Sequence, residues 1–301
     1  MEKQNNLVFI IAAWKRYDVT EICFKNLSKQ KHKYGFEVIV AGSEKKIKGL
    51  TDKYGFDYIE HSNAWLSDKN NALTLEAKKY NPRGVVILGS DDLINNEVIE
   101  KYYDLIEQDY RGVFGFEDLY FIDTYSMLLS HFNCGSKSYG AGRFYSYHSL
   151  NKCKWKAWRG QLNKGLDNNS AEYLKSKGIK FDTCKLSDIK GMLLDIKHKV
   201  NISSRDIVKA GEKVDLRTLH KHGLRIKTAL NDLHDQWAKE EKEKREYMEK
   251  LEAEMKLPED MSALCTIEGT GLSPHMPKGA KYKVYGFQAK RLILMKRAKL
   301  C

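Results

Sequence analysis

The stretch VVILGSDDLINNE, Val85–Glu97, opens with four apolar residues, three of them β-branched, and then runs into Gly89, Ser90 and the adjacent aspartates Asp91 and Asp92. An uninterrupted apolar run of this length, closed by glycine, is the pattern of a strand buried on both faces. Neighbouring carboxylates repel one another, so the pair at the strand's end implies a cation there. Mg²⁺ and Mn²⁺ fit: they take carboxylate oxygens and keep phosphate oxygens as further ligands. The alternative is that Asp91 caps a helix starting near Leu93, which accounts for one aspartate and leaves the second unexplained.

Outward from this stretch the pattern repeats. Asn6–Ala13, Phe36–Glu44 and Phe56–Ser62 read as strands, and Asp18–Gln30, Lys46–Gly55 and Ser67–Asn81 as the helices between them. Buried strands alternating with helices define a mainly parallel sheet covered on both faces. Ligands bind beyond the carboxyl ends of such strands. The groups Trp14-Lys15-Arg16, Ser43-Glu44, His61-Ser62-Asn63 and Ser90-Asp91-Asp92 are therefore expected along one edge.

The expected domains are residues 1–215, made of a nucleotide half (1–100) and an acceptor half (101–215), a charged helical extension (216–257), and a small basic module with β signals (258–301). The extension has a thin apolar stripe of Leu233, Trp237, Tyr247, Met248, Leu251 and Met255. None of the six cysteines forms a C-x-x-C pair, which argues against structural zinc and for a reducing compartment. The first apolar run is too short to span a bilayer, and a cytoplasmic protein without membrane partners is expected. The formal net charge of +12 favours a polyanionic partner such as nucleic acid, an anionic surface or a phosphorylated ligand.

The segments FIIAAWKR, VIVAGSE and LSDKNNALTLEAKKYNPRGVVILGSDDLIN resemble the nucleotide-binding half of family 2-type glycosyltransferases with the GT-A fold. The resemblance covers residues 1–100 and implies a Rossmann-like α/β domain and a nucleoside-diphosphate sugar donor, a UDP-sugar. It also implies Mn²⁺ or Mg²⁺ as cofactor. Members often carry K-x-N at the start of the third helix, here Lys69 and Asn71, and D-x-D after the following strand. Here the motif departs to S-D-D, Ser90-Asp91-Asp92. By the resemblance Asp91 contacts the ribose and Asp92 the metal. Ala12, Trp14 and Arg16 lie where the base and diphosphate are held and Glu44 where an acidic side chain reads the base or ribose, with Lys69 on a phosphate and Asn71 on the base or sugar. YGAGRFYS, with Gly142 and Arg143, resembles the wall beside the donor sugar; Asp167 falls where the general base stands, giving inversion. His198 is placed as a late ligand of the metal or diphosphate, and Lys197 and Lys199 as alternatives for the diphosphate.

Plainer readings stand beside these. Lys69 fits an ordinary first helical turn, although a cation there opposes the helix dipole. "DNNS", Asp167–Ser170, offers four capping residues. His198, amid lysines, fits an exposed side chain. A nucleotidyltransferase or a dinucleotide dehydrogenase calls for a glycine-rich loop after the first strand, and AAWKRYD has no glycine. For the acceptor, the charge makes a hydroxymethylated base in DNA plausible. The tail also resembles short modules of phage proteins. Surface polysaccharide synthesis is the alternative, and a non-catalytic nucleic-acid-binding protein is the alternative of another class.

Overall fold

The computed structural model describes residues 7–135, 138–198, 206–254, 264–269, 278, 281–285 and 298–300. It divides into two compact units, Met1–His234 and Asp235–Cys301.

In chain order the first unit contains β1 (Leu7–Ala12), α1 (Tyr17–Tyr34), β2 (Glu37–Gly42), α2 (Lys45–Lys53), β3 (Asp57–Glu60), α3 (Leu66–Ala77), β4 (Gly84–Gly89), β5 (Asp92–Ile94) and α4 (Asn96–Glu107). It continues with β6 (Val113–Phe116), β7 (Asp118–Asp123), β8 (Leu128–Asn133), β9 (Arg143–Ser146), α5 (Tyr147–Lys152), α6 (Leu166–Ser176), β10 (Phe181–Cys184) and β11 (Leu193–Lys197). Then come α7 (Asp206–Ala210), β12 (Glu212–Val214), α8 (Arg217–Lys221) and the start of α9 (Lys227–Glu254). In the second unit β13 (Leu264–Gly269), β14 (Lys281–Tyr285) and β15 (Ala298–Leu300) form an antiparallel sheet with β13 in the middle.

The main sheet has the order β10-β6-β9-β4-β1-β2-β3. The expected parallel core is there: β1 pairs in parallel with both β2 and β4, and β2 with β3. Only β9 runs against its neighbours β4 and β6. Side chains alternate across a strand, so Leu7, Phe9 and Ile11 enter one apolar cluster while Val8 and Ile10 enter another on the opposite face. This is why β1 reads as an unbroken apolar run. Among the described residues no helix is long and apolar enough to cross a membrane.

A second sheet, β12-β8-β7-β11-β5, abuts the first. The strand that opens the Val85–Glu97 stretch ends at Gly89, and Asp92 opens β5 in this other sheet. Ser90 and Asp91 form the corner between them. The helix expected near Leu93 begins at Asn96, and its cap is Asn95, whose side chain accepts from the Val98 amide. The capping alternative for Asp91 is thereby removed.

Asn95 is almost fully buried. Its Oδ1 also accepts from Met192 N at 2.9 Å, and its Nδ2 donates to Lys190 O at 3.2 Å, which ties α4 to the segment entering β11. Asn95→Ala removes a cap and strands two backbone groups, so we expect a loss of about 2–3 kcal/mol in denaturant unfolding, with an unchanged m-value.

Candidate active site

The corner positions both aspartates. A Cβ on Gly89 would stand 2.7 Å from Asp91 Oδ1 and 2.9 Å from Asp92 Oδ2, so only glycine lets the two carboxylates fold back over the main chain. This is a physical reason for glycine directly before Ser90-Asp91-Asp92. The Gly89 amide donates to Asp92 Oδ2 at 2.5 Å.

A third carboxylate arrives from β11. Asp195 lies opposite Asp92 in the antiparallel β5–β11 pair, and the Ile196 amide donates to Asp91 O at 2.9 Å. Oxygens of Asp91, Asp92 and Asp195 all lie within 4.8 Å of one another. Two cations flank them. Arg16 pairs with Asp91 and donates through Nη2 to Ser90 Oγ at 3.1 Å. Lys197, almost fully buried, donates to Asp195 Oδ2 at 2.6 Å. Arg16 is held out by an unusual backbone: Lys15 and Arg16 both have left-handed φ, 54° and 49°. Two such residues in succession cost of order 1–3 kcal/mol each, a strain associated with functional sites.

Burial, followed by repulsion from Asp91 and Asp195, pushes the Asp92 carboxyl well above its ordinary range. Burial and the Asp91 charge raise Asp195 to about 6, against the pull of Lys197. Asp195 Oδ1 is buried with no hydrogen-bond partner. An all-carboxylate, partly orphaned donor set fits a hard divalent cation, and Asp91, Asp92 and Asp195 are the residues that could hold one.

The other expected strand ends lie at the same edge. Glu44 Oε2 accepts from the Lys15 amide at 2.8 Å and Glu44 Oε1 from Tyr17 Oη at 3.1 Å. Ala12 ends β1, and Trp14 beyond it is 44% exposed. Lys69 is buried under this edge, bonded to Asn63 and to Ala13 O at 3.4 Å, and burial pushes its ammonium down to about 8. Its neighbour Asn70 is also buried, with Oδ1 unpartnered.

Other expected residues have structural partners. Asn71 brackets Trp158, donating to its carbonyl at 2.9 Å and accepting from its amide at 3.2 Å. Arg143 is buried and donates to Asp167 O at 3.0 Å and Ser138 O at 2.9 Å, which fixes the entry to α6. Gly142 has φ 69°, and its carbonyl accepts from Tyr102 Oη at 2.7 Å. Asp167 lies in the first turn of α6 after Gly165, so it is not the cap residue. Its carboxylate covers the bare face of Gly140, where a Cβ would stand 1.9 Å from Oδ1. His198 is buried rather than exposed, and its Nδ1 lies 2.8 Å from Thr124 Oγ1. It stands outside the three-carboxylate group; Lys199 and Met255 lie outside the described residues.

Asp195 is the residue that the sequence reading missed. Its signal was a lone carboxylate in the apolar run MLLDI, Met192–Ile196, two residues before Lys197.

A scan against protein-family models finds no match, and a search of curated proteins finds none. Among solved structures, the chain is similar to S. aureus TarS 1-349 in complex with UDP-GlcNAc, with 13% identity and a TM-score of 0.47 over 65% of this chain and 60% of that one. The same protein in complex with UDP matches with 12% identity and a TM-score of 0.45, over 64% and 61%. A cytidylyltransferase from Leptospira borgpetersenii matches with 16% identity and a TM-score of 0.39, over 60% and 76%. The chain thus spans less than two thirds of the TarS 1-349 length. At these scores the likeness is a record of similarity alone. The α/β architecture, a mainly parallel sheet flanked by helices, is defined by this chain's own strand order.

The carboxylates give a pH signature. Folded Asp195 keeps its proton to about 6, whereas an unfolded aspartate loses it near about 3.9. Between these values the folded state binds more protons, so metal-free stability falls as pH rises through the window. Melting temperatures across it should fall without metal and recover with added Mg²⁺ or Mn²⁺; a rise without metal would contradict the buried cluster.

Proposed function

We propose that the chain is a divalent-metal-dependent glycosyltransferase that moves a sugar from a UDP-sugar to an acceptor hydroxyl. The observation that carries this reading is the corner itself. Three carboxylates are gathered there with an orphaned oxygen, beside Arg16 and Lys197, at the edge where such sheets take ligands. A protein without chemistry to perform gains nothing by burying like charges together. That ranks the non-catalytic binding reading lower.

Asp91, Asp92 and Asp195 would hold Mn²⁺ or Mg²⁺, which supplies charge neutralisation for a departing diphosphate. Arg16 and Lys197 bind the same oxygens, and Lys69 gains its full charge when an anion approaches. Ala12, Trp14 and Glu44 border the nucleoside. Asp167 accepts the proton of the acceptor hydroxyl. The acceptor oxygen forms its bond to the anomeric carbon as the bond to the diphosphate breaks, and the electron pair leaves with the nucleotide. Attack opposite the leaving group inverts the configuration. The charge of +12 supports a hydroxymethylated base in DNA as acceptor over a surface polysaccharide.

The test is a UDP-sugar panel with Mn²⁺, Mg²⁺ or chelator. We expect metal-dependent release of UDP that is lost in Asp92→Asn and Asp195→Asn; release untouched by chelator would sink the reading. Asp167→Asn should keep donor and metal binding while transfer falls by about 10²–10⁴. Gly140→Ala, which displaces the Asp167 carboxylate, should lower transfer in the same way.

A further inference from the structure

One basic stretch of the first unit runs up to and past Asp167. From Lys152 to Lys180 the sequence has eight basic residues against two acidic, Asp167 and Glu172. Within it, residues 153–163 form a ribbon laid along α3. Ser67, Asn71 and Thr74 lie on one face of that helix. Ser67 Oγ donates to Gly160 O at 2.8 Å, Asn71 brackets Trp158, and Thr74 Oγ1 donates to Trp155 O at 2.7 Å. Asn163 closes the ribbon on the loop after β3, accepting from Leu66 N at 2.8 Å and donating to Ala64 O at 2.9 Å.

Cys153, Trp155, Ala157 and Trp158 are buried against the domain, while Lys154, Lys156, Arg159 and Lys164 are exposed. Some exposed lysines elsewhere have carboxylate partners, as Lys48 does with Asp52, Lys53 with Glu21 and Lys79 with Asp57, while others among the described residues, such as Lys25, Lys29 and Lys45, do not. Among the described residues none of Lys154, Lys156, Arg159 and Lys164 has one. A row of cations left without internal counter-charge is what a phosphodiester chain neutralises. The ribbon's end lies beside Trp65, which is 38% exposed, and leads within four residues to Asp167. An exposed indole is a stacking surface for a base, and it favours nucleic acid over a polyol-phosphate polymer.

We propose that this ribbon is the track on which duplex DNA docks, its phosphates on Lys154, Lys156, Arg159 and Lys164, with the target base delivered toward Asp167. The inference rests on the glycosyltransferase reading for the purpose of docking, but DNA binding is measurable without turnover. Full-length protein is titrated with duplex DNA, with and without 5-hydroxymethylcytosine, across a salt series. The variants are Lys154→Gln/Lys156→Gln/Arg159→Gln/Lys164→Gln and a charge-matched control, Lys25→Gln/Lys29→Gln/Lys33→Gln/Lys45→Gln. Melting temperatures check folding.

We expect the ribbon variant to bind about tenfold or more weakly and to lose about 3–4 from the salt slope, at about 0.9 per phosphate contact, while the control stays near wild type. Equal loss in both variants, or none in the ribbon variant, would overturn the track. So would wild-type protein that binds poly(glycerol phosphate) and not DNA. UDP-sugar hydrolysis without DNA binding removes the track and keeps the transferase; DNA binding through the ribbon without hydrolysis does the reverse.

Discussion

Repulsion among three carboxylates at one corner is the constraint around which the site is organised. Asp91 and Asp92 come from the turn that carries the chain from one sheet to the other, and Asp195 from the strand paired with that turn's far side. Gathering them is costly in a buried setting. The chain answers with a guanidinium, an ammonium and a backbone amide, each on a different carboxylate. The strained Lys15-Arg16 backbone becomes intelligible here, because it brings the Arg16 guanidinium to Asp91.

The strand order and the positions of the glycines serve that corner. β1 and β4 are adjacent and parallel, so Ala12 and Gly89 end side by side, and the segment after each meets at the same edge. Glycines at 89 and 140 are both covered by carboxylates, one pair from the corner and one from α6. In each case the missing side chain is the space that the acid occupies.

Much of the first hundred residues was legible. Unbroken apolar runs and the helices between them mark buried parallel strands, and their ends mark the ligand edge. Distance in sequence hid the rest. Asp195 follows Asp92 by about a hundred positions, and only antiparallel pairing puts them opposite one another. Asn71 and Arg143 sit at motif positions, yet in this structure their polar groups hold backbone: one secures the ribbon on α3, the other the start of α6. Sequence could propose those residues but not what they touch. The caps illustrate the same limit: local rules offered Asp91 and Asp167, and the chain uses Asn95 and Gly165.

The clamping of the ribbon divides labour between its atoms. Its carbonyls and amides are held by α3 and its indoles by the core, so Lys154, Lys156 and Lys164 owe nothing to folding. Exposed side chains with no structural duty can change at little cost in stability, whereas Gly89 and Asn95 cannot. Selection could therefore retune what rests on the ribbon, one surface residue at a time, without disturbing the corner where the carboxylates meet.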